Sequence, residues 1–320
     1  MKSKPPLFFR VDAGPQMGWG HGMRCLALAE AWKKSHGPFT FVMAAPPDSV
    51  ADKIKKAGGD VAILSAPSGG GDDATETVAL AKRHGAAWIG VDGYHFKPDF
   101  FSGLAAAPVK TFLVDDLGAA YARHFSLVVN FQLHAKKELY PENSAVALLL
   151  GPEFLLLREE IVATAPRPPA APAGPVQVLL TFGASGTKGT LEQVREALAK
   201  VTAPPLAVSA LEPSLPQPKS LGTFYTSHDV AVSALGTTIW ELLRLGVPTV
   251  GVPINADHEL VGKALEAKGL IRFCAPGEIG AVVRELAEDL AQRKDLAEKS
   301  RKFIDGLGAA RVAERLSTGA

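Results

Sequence analysis

The amino-acid sequence predicts an α/β protein made of two Rossmann-like halves with a ligand cleft between them. Short apolar runs alternate with helical patterns along the chain, which is typical of parallel sheets covered on both faces. A glycine-containing turn follows the first strand of each half, and a proline-rich segment separates the two patterns. The predicted domains are residues 1–165 and 176–320, joined by a linker over 166–175.

The first half opens on a buried strand over residues 7–11 and turns through glycines into a helix. Apolar residues then recur at helical spacing from Cys25 to Trp32, while Glu30 lies off that stripe. Further strands are predicted over 39–43, 61–64, 87–91, 110–114, 127–130 and 147–150, and further helices over 48–57, 75–84 and 98–105.

The strand and helix pattern restarts after the linker. Strands are predicted over 176–182, 206–209, 230–233 and 248–253, and helices over 191–199, 236–243, 279–291 and 295–316. A proline-rich loop is predicted over 212–220.

Composition narrows the class of protein. The chain has 320 residues, of which 47% are hydrophobic and 21% charged, as in ordinary globular proteins. A net charge of +1 gives no electrostatic reason to expect a nucleic-acid or acidic-membrane partner. No apolar run is long enough to span a bilayer, and no signal peptide precedes the first strand. Cys25 and Cys274 lie far apart in the sequence and form no metal-spaced pair, and a cytoplasmic location is the default expectation. Cys25 falls on the apolar stripe of the first helix, so we expect it in the core.

The first glycine turn contains the strongest candidate catalytic residue. His21 lies between Gly20 and the helix, on a loop beyond the carboxyl end of a strand, where open α/β sheets place their chemistry. A helix N-terminus beside such a turn also suits an anion. Position alone leaves open the alternative that His21 only caps or hydrogen-bonds the loop.

Two turns of the second half suit phosphate binding. Gly183 follows one strand, and Gly236, Thr237 and Thr238 begin a helix whose backbone N–H groups are able to meet a diphosphate. Glu241 lies one turn further along that helix, where its carboxylate suits a ribose diol. The alternatives are a plain strand-to-helix turn and an ordinary helix cap.

The carboxylates after the strands of the first half have several possible roles. Asp115 and Asp116 are adjacent and point to different sides, so we expect no acid/base dyad or metal pair, and one of them to bind loop backbone. Asp12 either fixes the tautomer of a histidine or holds the loop, and we favour the loop. Tyr94 follows Asp92 just beyond the end of a strand and is better placed for the cleft than Asp115 or Asp116.

Several motifs occur together in one order along the chain. They are Arg10-x-Asp12, Gly18-x-Gly20-His21, Arg24-Cys-Leu-x-Leu-Ala29, Asp92-x-Tyr94, Asp115-Asp116, Asn130, the segment 151–160 with Arg158, the segment 236–241, and Leu245-Gly-Val-Pro248. In this order they resemble the family of UDP-sugar hydrolases that release 2,4-diacetamido-2,4,6-trideoxy-altrose from UDP for pseudaminic acid biosynthesis.

The resemblance implies a fold like that of the GT-B glycosyltransferases and a set of site residues. His21 is then the catalytic base, and Tyr94 orients the water or the sugar. The residues implied to bind substrate or nucleotide are Arg10, Asp12, Gly18, Gly20, Arg158, Gly183, Gly236, Thr237, Thr238, Glu241, Asp257 and His258.

The chain departs from this family's pattern on the nucleotide side. Gly183-Ala-Ser-Gly186 replaces Gly-Gly-Ser/Thr-Asp, and Asp257-His258 replaces Asn-Gln. The helix before the second nucleotide turn is cut short near Tyr225. These differences bear on the affinity for UDP more than on the fold.

The expected reaction is hydrolysis at the anomeric carbon, with inversion and without a metal or cofactor. Histidine suits the base because imidazole as a residue type titrates near neutrality. Two alternatives stay open: a glycosyltransferase in which His21 deprotonates an acceptor hydroxyl, and a non-catalytic protein that binds sugar nucleotides.

Overall fold

The computed structural model describes residues 4–14, 17–142, 145–183, 188–212 and 217–319. The chain divides into two compact units. The first unit comprises Met1–Arg158 together with Leu307–Ala320, and the second unit comprises Glu159–Gly306. Among the described residues, no helix is both long enough and apolar enough to cross a membrane.

The first unit is built on a parallel sheet in which the described residues form seven strands. Their order is β3-β2-β1-β4-β5-β6-β7. The strands are β1 (Leu7–Val11), β2 (Phe39–Met43), β3 (Asp60–Ile63), β4 (Trp88–Asp92), β5 (Lys110–Val114), β6 (Leu127–Asn130) and β7 (Ala147–Leu150). Most of the central strands are buried along their whole length, which is why they are continuous apolar runs in the sequence.

Helices cover the sheet of the first unit. They are α1 (Gly20–Ser35), α2 (Asp48–Lys56), α3 (Gly71–Arg83), α4 (Pro98–Ala105) and α12 (Gly308–Ser317). One core cluster packs Phe100, Phe101 and Leu104 of α4 against Ile89 and Val91 of β4.

The order of strands reverses between β1 and β4, which pair in parallel with Val11 opposite Asp92. The chain runs from β1 to β2 on one side and from β4 to β5 on the other. The loops after β1 and β4 therefore diverge and leave a crevice at their carboxyl ends, where ligands bind in open α/β sheets.

The second unit repeats this plan with a parallel sheet of five strands in its described part, in the order β12-β11-β10-β8-β9. The strands are β8 (Val176–Thr181), β9 (Leu206–Leu211), β10 (Val230–Ser233), β11 (Thr249–Gly251) and β12 (Arg272–Phe273). The helices are α5 (Glu159–Ala163), α6 (Lys188–Ala199), α7 (Leu221–Thr226), α8 (Thr237–Leu245), α9 (Ala256–Ala267), α10 (Ile279–Glu288) and α11 (Leu290–Phe303). The reversal here lies between β8 and β10.

The C-terminal helices differ from the prediction. The helix expected over 295–316 is two helices, because Gly306 has a φ of +80° and turns the chain between them. A Cβ on Gly308 would lie 2.3 Å from the backbone oxygen of Leu155, so α12 approaches that segment closely. Trp88 Nε1 also donates to Leu316 O over 2.9 Å. The last residues therefore pack in the first unit, whereas the sequence assigned them to the second.

The proline-rich segment 166–175 lies within the second unit. Arg167 Nη2 donates to Asp229 Oδ1 over 2.5 Å, and the buried Arg293 donates to the backbone oxygen of Ala170 over 3.2 Å. Two guanidinium groups thus attach this segment to the second unit, which begins at Glu159.

Candidate functional site

The turn before α1 places His21 at the start of a helix. Gly14 and Gly18 exchange backbone hydrogen bonds of 3.1 and 2.8 Å, which close the loop after β1. Gly18 has a φ of +82°, a conformation that favours glycine. A Cβ on Gly22 would lie 2.8 Å from the Cβ of Ala13, so α1 begins close to the end of β1. His21 is the second residue of α1.

Asp92, at the end of β4, orients the imidazole of His21. Nδ1 of His21 lies 2.7 Å from Oδ1 of Asp92, whose side chain is fully buried. Burial would raise the pKa of this carboxyl, but the charge of Arg24 and the contact with His21 hold it below its usual value. An ionised carboxylate only accepts hydrogen bonds, so Nδ1 carries a proton, and in the neutral imidazole the lone pair is therefore on Nε2. Within the described residues, none hydrogen-bonds to Nε2.

Arg24 joins Asp92 to a second buried carboxylate. It lies one turn after His21 on α1, and its Nε and Nη2 donate to Asp92 over 2.5 and 2.7 Å. Its Nη1 donates to Asp116 Oδ1 over 2.7 Å. Nη2 also lies 3.2 Å from His21 Nδ1, but its shorter contact is with Asp92, and two N–H groups do not bond to each other. Arg24 thus forms an ion pair with both carboxylates.

Tyr94 contacts both His21 and Asp116. Its hydroxyl donates to Asp116 Oδ2, and its ring meets the His21 ring edge-on with centroids 4.8 Å apart. Burial of the hydroxyl end and the negative charge of Asp116 raise the pKa of Tyr94, so the hydroxyl stays protonated. The residue as a whole is 62% exposed, so a large part of its surface faces solvent beside the histidine.

A turn after β6 supplies two further contacts to Asp116. Nε2 of Gln132 donates to its Oδ1 over 2.8 Å, and Nε2 of His134 donates to its backbone oxygen over 2.8 Å. Five residues of this site were not predicted as site residues from the sequence, namely Arg24, Asp92, Asp116, Gln132 and His134. Four of these residues lie at or just beyond the end of β4, β5 or β6, and that position is the sequence signal that indicates a site.

Arg10 and Asp12 form a buried ion pair, and Asp12 also lies 3.1 Å from Nε2 of His95. Arg10 is fully buried and donates to Asp73 over 2.8 and 2.7 Å and to Asp12 over 2.8 Å. Asp12 also accepts from Ala44 N and Ser68 Oγ. The predicted role of Asp12 in holding the loop is confirmed, and the tautomer of His21 is set by Asp92 instead. Arg10 has no exposed surface and braces these loops, and its predicted contact with a ligand stays a prediction.

Asp115 and Asp116 divide as the sequence predicted. Asp115 accepts from the backbone N–H of Gly118 over 2.8 Å and from the Tyr140 hydroxyl over 2.8 Å. It therefore binds loop backbone, while Asp116 faces Arg24. In the described part of the chain, no group of three or more His, Cys, Asp or Glu side chains is arranged to hold a metal ion.

The second unit brings its predicted residues to the carboxyl ends of its central strands. Gly183, with a φ of +64°, lies just after β8, and the residues 184–187 that follow, including Ser185, lie outside the described residues. Gly236 is the N-cap of α8, and Thr237 and Thr238 are its first two residues. Gly236 and Thr237 are exposed, so this helix N-terminus is open to solvent.

Glu241 lies inward on α8. It is 7% exposed, and its Oε2 accepts from the Tyr225 hydroxyl over 3.2 Å. Tyr225 belongs to α7, which spans only six residues, as the shortened segment in the sequence predicted. The carboxylate is therefore already hydrogen-bonded by protein.

The remaining predicted residues lie at the start of α9 and at the end of the main segment of the first unit. Asp257 and His258 are in the first turn of α9, where the Asn255 side chain caps the helix by accepting from His258 N over 2.8 Å. Arg158 is the last residue of the main segment of the first unit.

Comparison with known proteins finds solved structures that share the fold of this chain. A scan against protein-family models finds no match, and neither does a search of curated proteins. The chain is similar to the solved structure of MurG from Acinetobacter baumannii, with 14% identity, a TM-score of 0.66, and coverage of 98% of this chain and 99% of that one. The fold is GT-B-like.

Two further solved structures have the same architecture. The glycosyltransferase SnogD from Streptomyces nogalater is 14% identical with a TM-score of 0.67, covering 99% of each chain. A Listeria monocytogenes protein described as a UDP-N-acetylglucosamine 2-epimerase is 13% identical with a TM-score of 0.67, covering 99% of this chain and 96% of that one. These likenesses establish the predicted fold class.

Proposed function

We propose that this protein acts on a UDP-linked sugar and hydrolyses it at the anomeric carbon, releasing UDP and the free sugar. The observation that carries the proposal is the His21–Asp92 pair, which in the neutral imidazole places the lone pair on Nε2. The motif order that resembles the hydrolases of 2,4-diacetamido-2,4,6-trideoxy sugars supplies the substrate class. Structural neighbours that include glycosyltransferases and a UDP-N-acetylglucosamine 2-epimerase support sugar-nucleotide chemistry on this fold.

In the proposed reaction, Nε2 of His21 takes a proton from a water molecule. The water oxygen bonds to the anomeric carbon as the bond from that carbon to the phosphate oxygen breaks, and the electron pair leaves with UDP. Attack opposite to the leaving group inverts the anomeric centre. Asp92 stabilises the imidazolium that forms, because its carboxylate accepts from Nδ1 throughout. The exposed ring of Tyr94 beside His21 suits contact with the sugar.

On the nucleotide side, we propose that Gly236, Thr237 and Thr238 bind the diphosphate. The N-terminus of α8 offers free backbone N–H groups and the positive end of the helix dipole, and its first residues are exposed. Contacts of Gly183, Asp257 and His258 with the nucleotide, and of Glu241 with the ribose, remain predictions, as does the cytoplasmic location.

A glycosyltransferase is the second candidate, because MurG and SnogD share this fold. The same lone pair would then deprotonate an acceptor hydroxyl instead of water. The two reactions differ in one observable: only the hydrolase releases UDP when no acceptor is present.

The test is phosphorus NMR of the full chain with the UDP-linked 2,4-diacetamido-2,4,6-trideoxy-altrose and no acceptor. The expected result is release of UDP by the wild type and by His84→Asn, an exposed histidine on the first unit. His21→Asn is expected to bind the substrate without turning it over. Intact substrate with shifted phosphorus signals would favour the transferase, and unshifted signals would indicate that UDP is not bound.

A further inference from the structure

A second histidine pairs with a hydroxyl in the second unit, apart from every residue used above. Nε2 of His228 lies 2.6 Å from Oγ of Ser209. Ser209 belongs to β9, and His228 lies in the short connection between α7 and β10. Neither residue is part of the predicted nucleotide turns after β8 and β10.

The tautomer of this imidazole is set by the backbone. Nδ1 of His228 lies 2.8 Å from the carbonyl oxygen of Phe224, which only accepts, so Nδ1 carries the proton. Nε2 therefore accepts from the Ser209 hydroxyl. His228 is 8% exposed, and this burial lowers its pKa, which favours the neutral ring. A serine that donates to a neutral imidazole, itself oriented by a third group, has the arrangement of an activated nucleophile.

Ser209 is partly exposed on a strand at the edge of the sheet. Among the strands that the structure describes, β9 is an edge strand that pairs only with β8. Ser209 is partly exposed, and its neighbour Val208 is 43% exposed.

We propose that Ser209 is a nucleophile activated by His228 that accepts acyl groups from small reactive esters. Oγ bonds to the ester carbonyl carbon, the bond from that carbon to the alcohol oxygen breaks, and the proton of Oγ passes through His228 Nε2 to the departing alkoxide. Water then cleaves the acyl-serine by the same proton path in reverse. This site does not depend on His21 or on the proposed sugar-nucleotide reaction.

The test treats the folded full chain with a fluorophosphonate probe and locates the adduct by mass spectrometry. The serine oxygen bonds to phosphorus, fluoride leaves, and His228 receives the proton. The expected result is one adduct on Ser209, absent from Ser209→Ala and unchanged in His21→Asn. In His228→Gln the labelling rate is expected to fall about 100-fold, the usual contribution of a positioned base.

The matched control is Ser227→Ala. The Ser227 hydroxyl lies 3.3 Å from Nδ1 of the same imidazole and donates to Phe224 O, so it is not activated, and labelling of Ser209 should persist. If His228→Gln does not fold, Ser209→Cys is compared with Ser227→Cys for alkylation by iodoacetamide, with the first expected to react about tenfold faster because His228 promotes its thiolate. No adduct on Ser209 of the folded wild type, or equal rates with and without His228, would overturn the proposal.

Discussion

Arg24 binds Asp92 through two parallel hydrogen bonds, of 2.5 Å from Nε and 2.7 Å from Nη2. The Oδ1 that receives Nη2 is the same oxygen that lies 2.7 Å from Nδ1 of His21. One buried ion pair therefore both attaches α1 to the end of β4 and sets the tautomer of the candidate base.

Asp92→Asn is expected to impair turnover far more than substrate binding. An asparagine is able to present its N–H₂ group to Nδ1, which would place the imidazole proton on Nε2 and remove the lone pair. We expect kcat to fall by about 10²- to 10⁴-fold with KM little changed. The measurement is the initial rate of UDP release, with the exposed Asp60→Asn as control. An unchanged kcat in Asp92→Asn would contradict the assigned tautomer.

Arg24→Met is expected to destabilise the first unit. The substitution keeps the apolar stem but leaves Asp92 and Asp116 buried without their shared cation. Breaking a buried ion pair from one side costs about 3–5 kcal/mol in the free energy of unfolding. Urea denaturation of the wild type, Arg24→Met and the exposed Arg123→Met provides the comparison. A loss equal to that of Arg123→Met would show that the network contributes little.

The lowered pKa values of Asp92 and Asp116 predict how the free energy of unfolding depends on pH. Burial opposes their charge, but Arg24 holds the pKa of Asp92 and Asp116 below the usual value. A group whose pKa is lowered on folding contributes stability above its unfolded pKa, about 3.9 for Asp, and loses it as pH falls through the folded pKa. The free energy of unfolding should therefore decline below about pH 4. In Arg24→Met the decline that Asp92 and Asp116 contribute should disappear. An equal slope of the unfolding free energy against pH in the variant and the wild type would contradict this prediction.

Gly18→Ala tests the turn that places His21. Gly18 has a φ of +82°, and among the described residues beyond its chain neighbours no atom lies within 4 Å of the point that an added Cβ would occupy, so the cost is conformational and about 1–2 kcal/mol. Gly85, with a φ of +63° and equally open surroundings, lies between α3 and β4 and serves as control. Both variants should lose similar stability by thermal unfolding, but only Gly18→Ala should also slow turnover. Equal turnover in the two variants would show that the geometry of this turn does not position His21.

Several features were predictable because local patterns carry them. The buried central strands appear as apolar runs, and the glycine turn before α1 indicated His21. The shortened α7 was also visible in the sequence. Helix bounds were less predictable: α3 begins at Gly71, earlier than expected, and α5 and α9 were not predicted, because capping and packing decide where helices begin.

The sequence by itself determined a two-part α/β chain and a histidine at the end of its first strand, because hydrophobic periodicity and glycine turns act over a few residues. Only the tertiary structure decided which groups surround that histidine. Asp92 is 71 positions from His21, and Asp116 is 92 positions from Arg24, so no local spacing relates them. The parallel sheet brings them together because the carboxyl ends of β1, β4 and β5 meet at one edge.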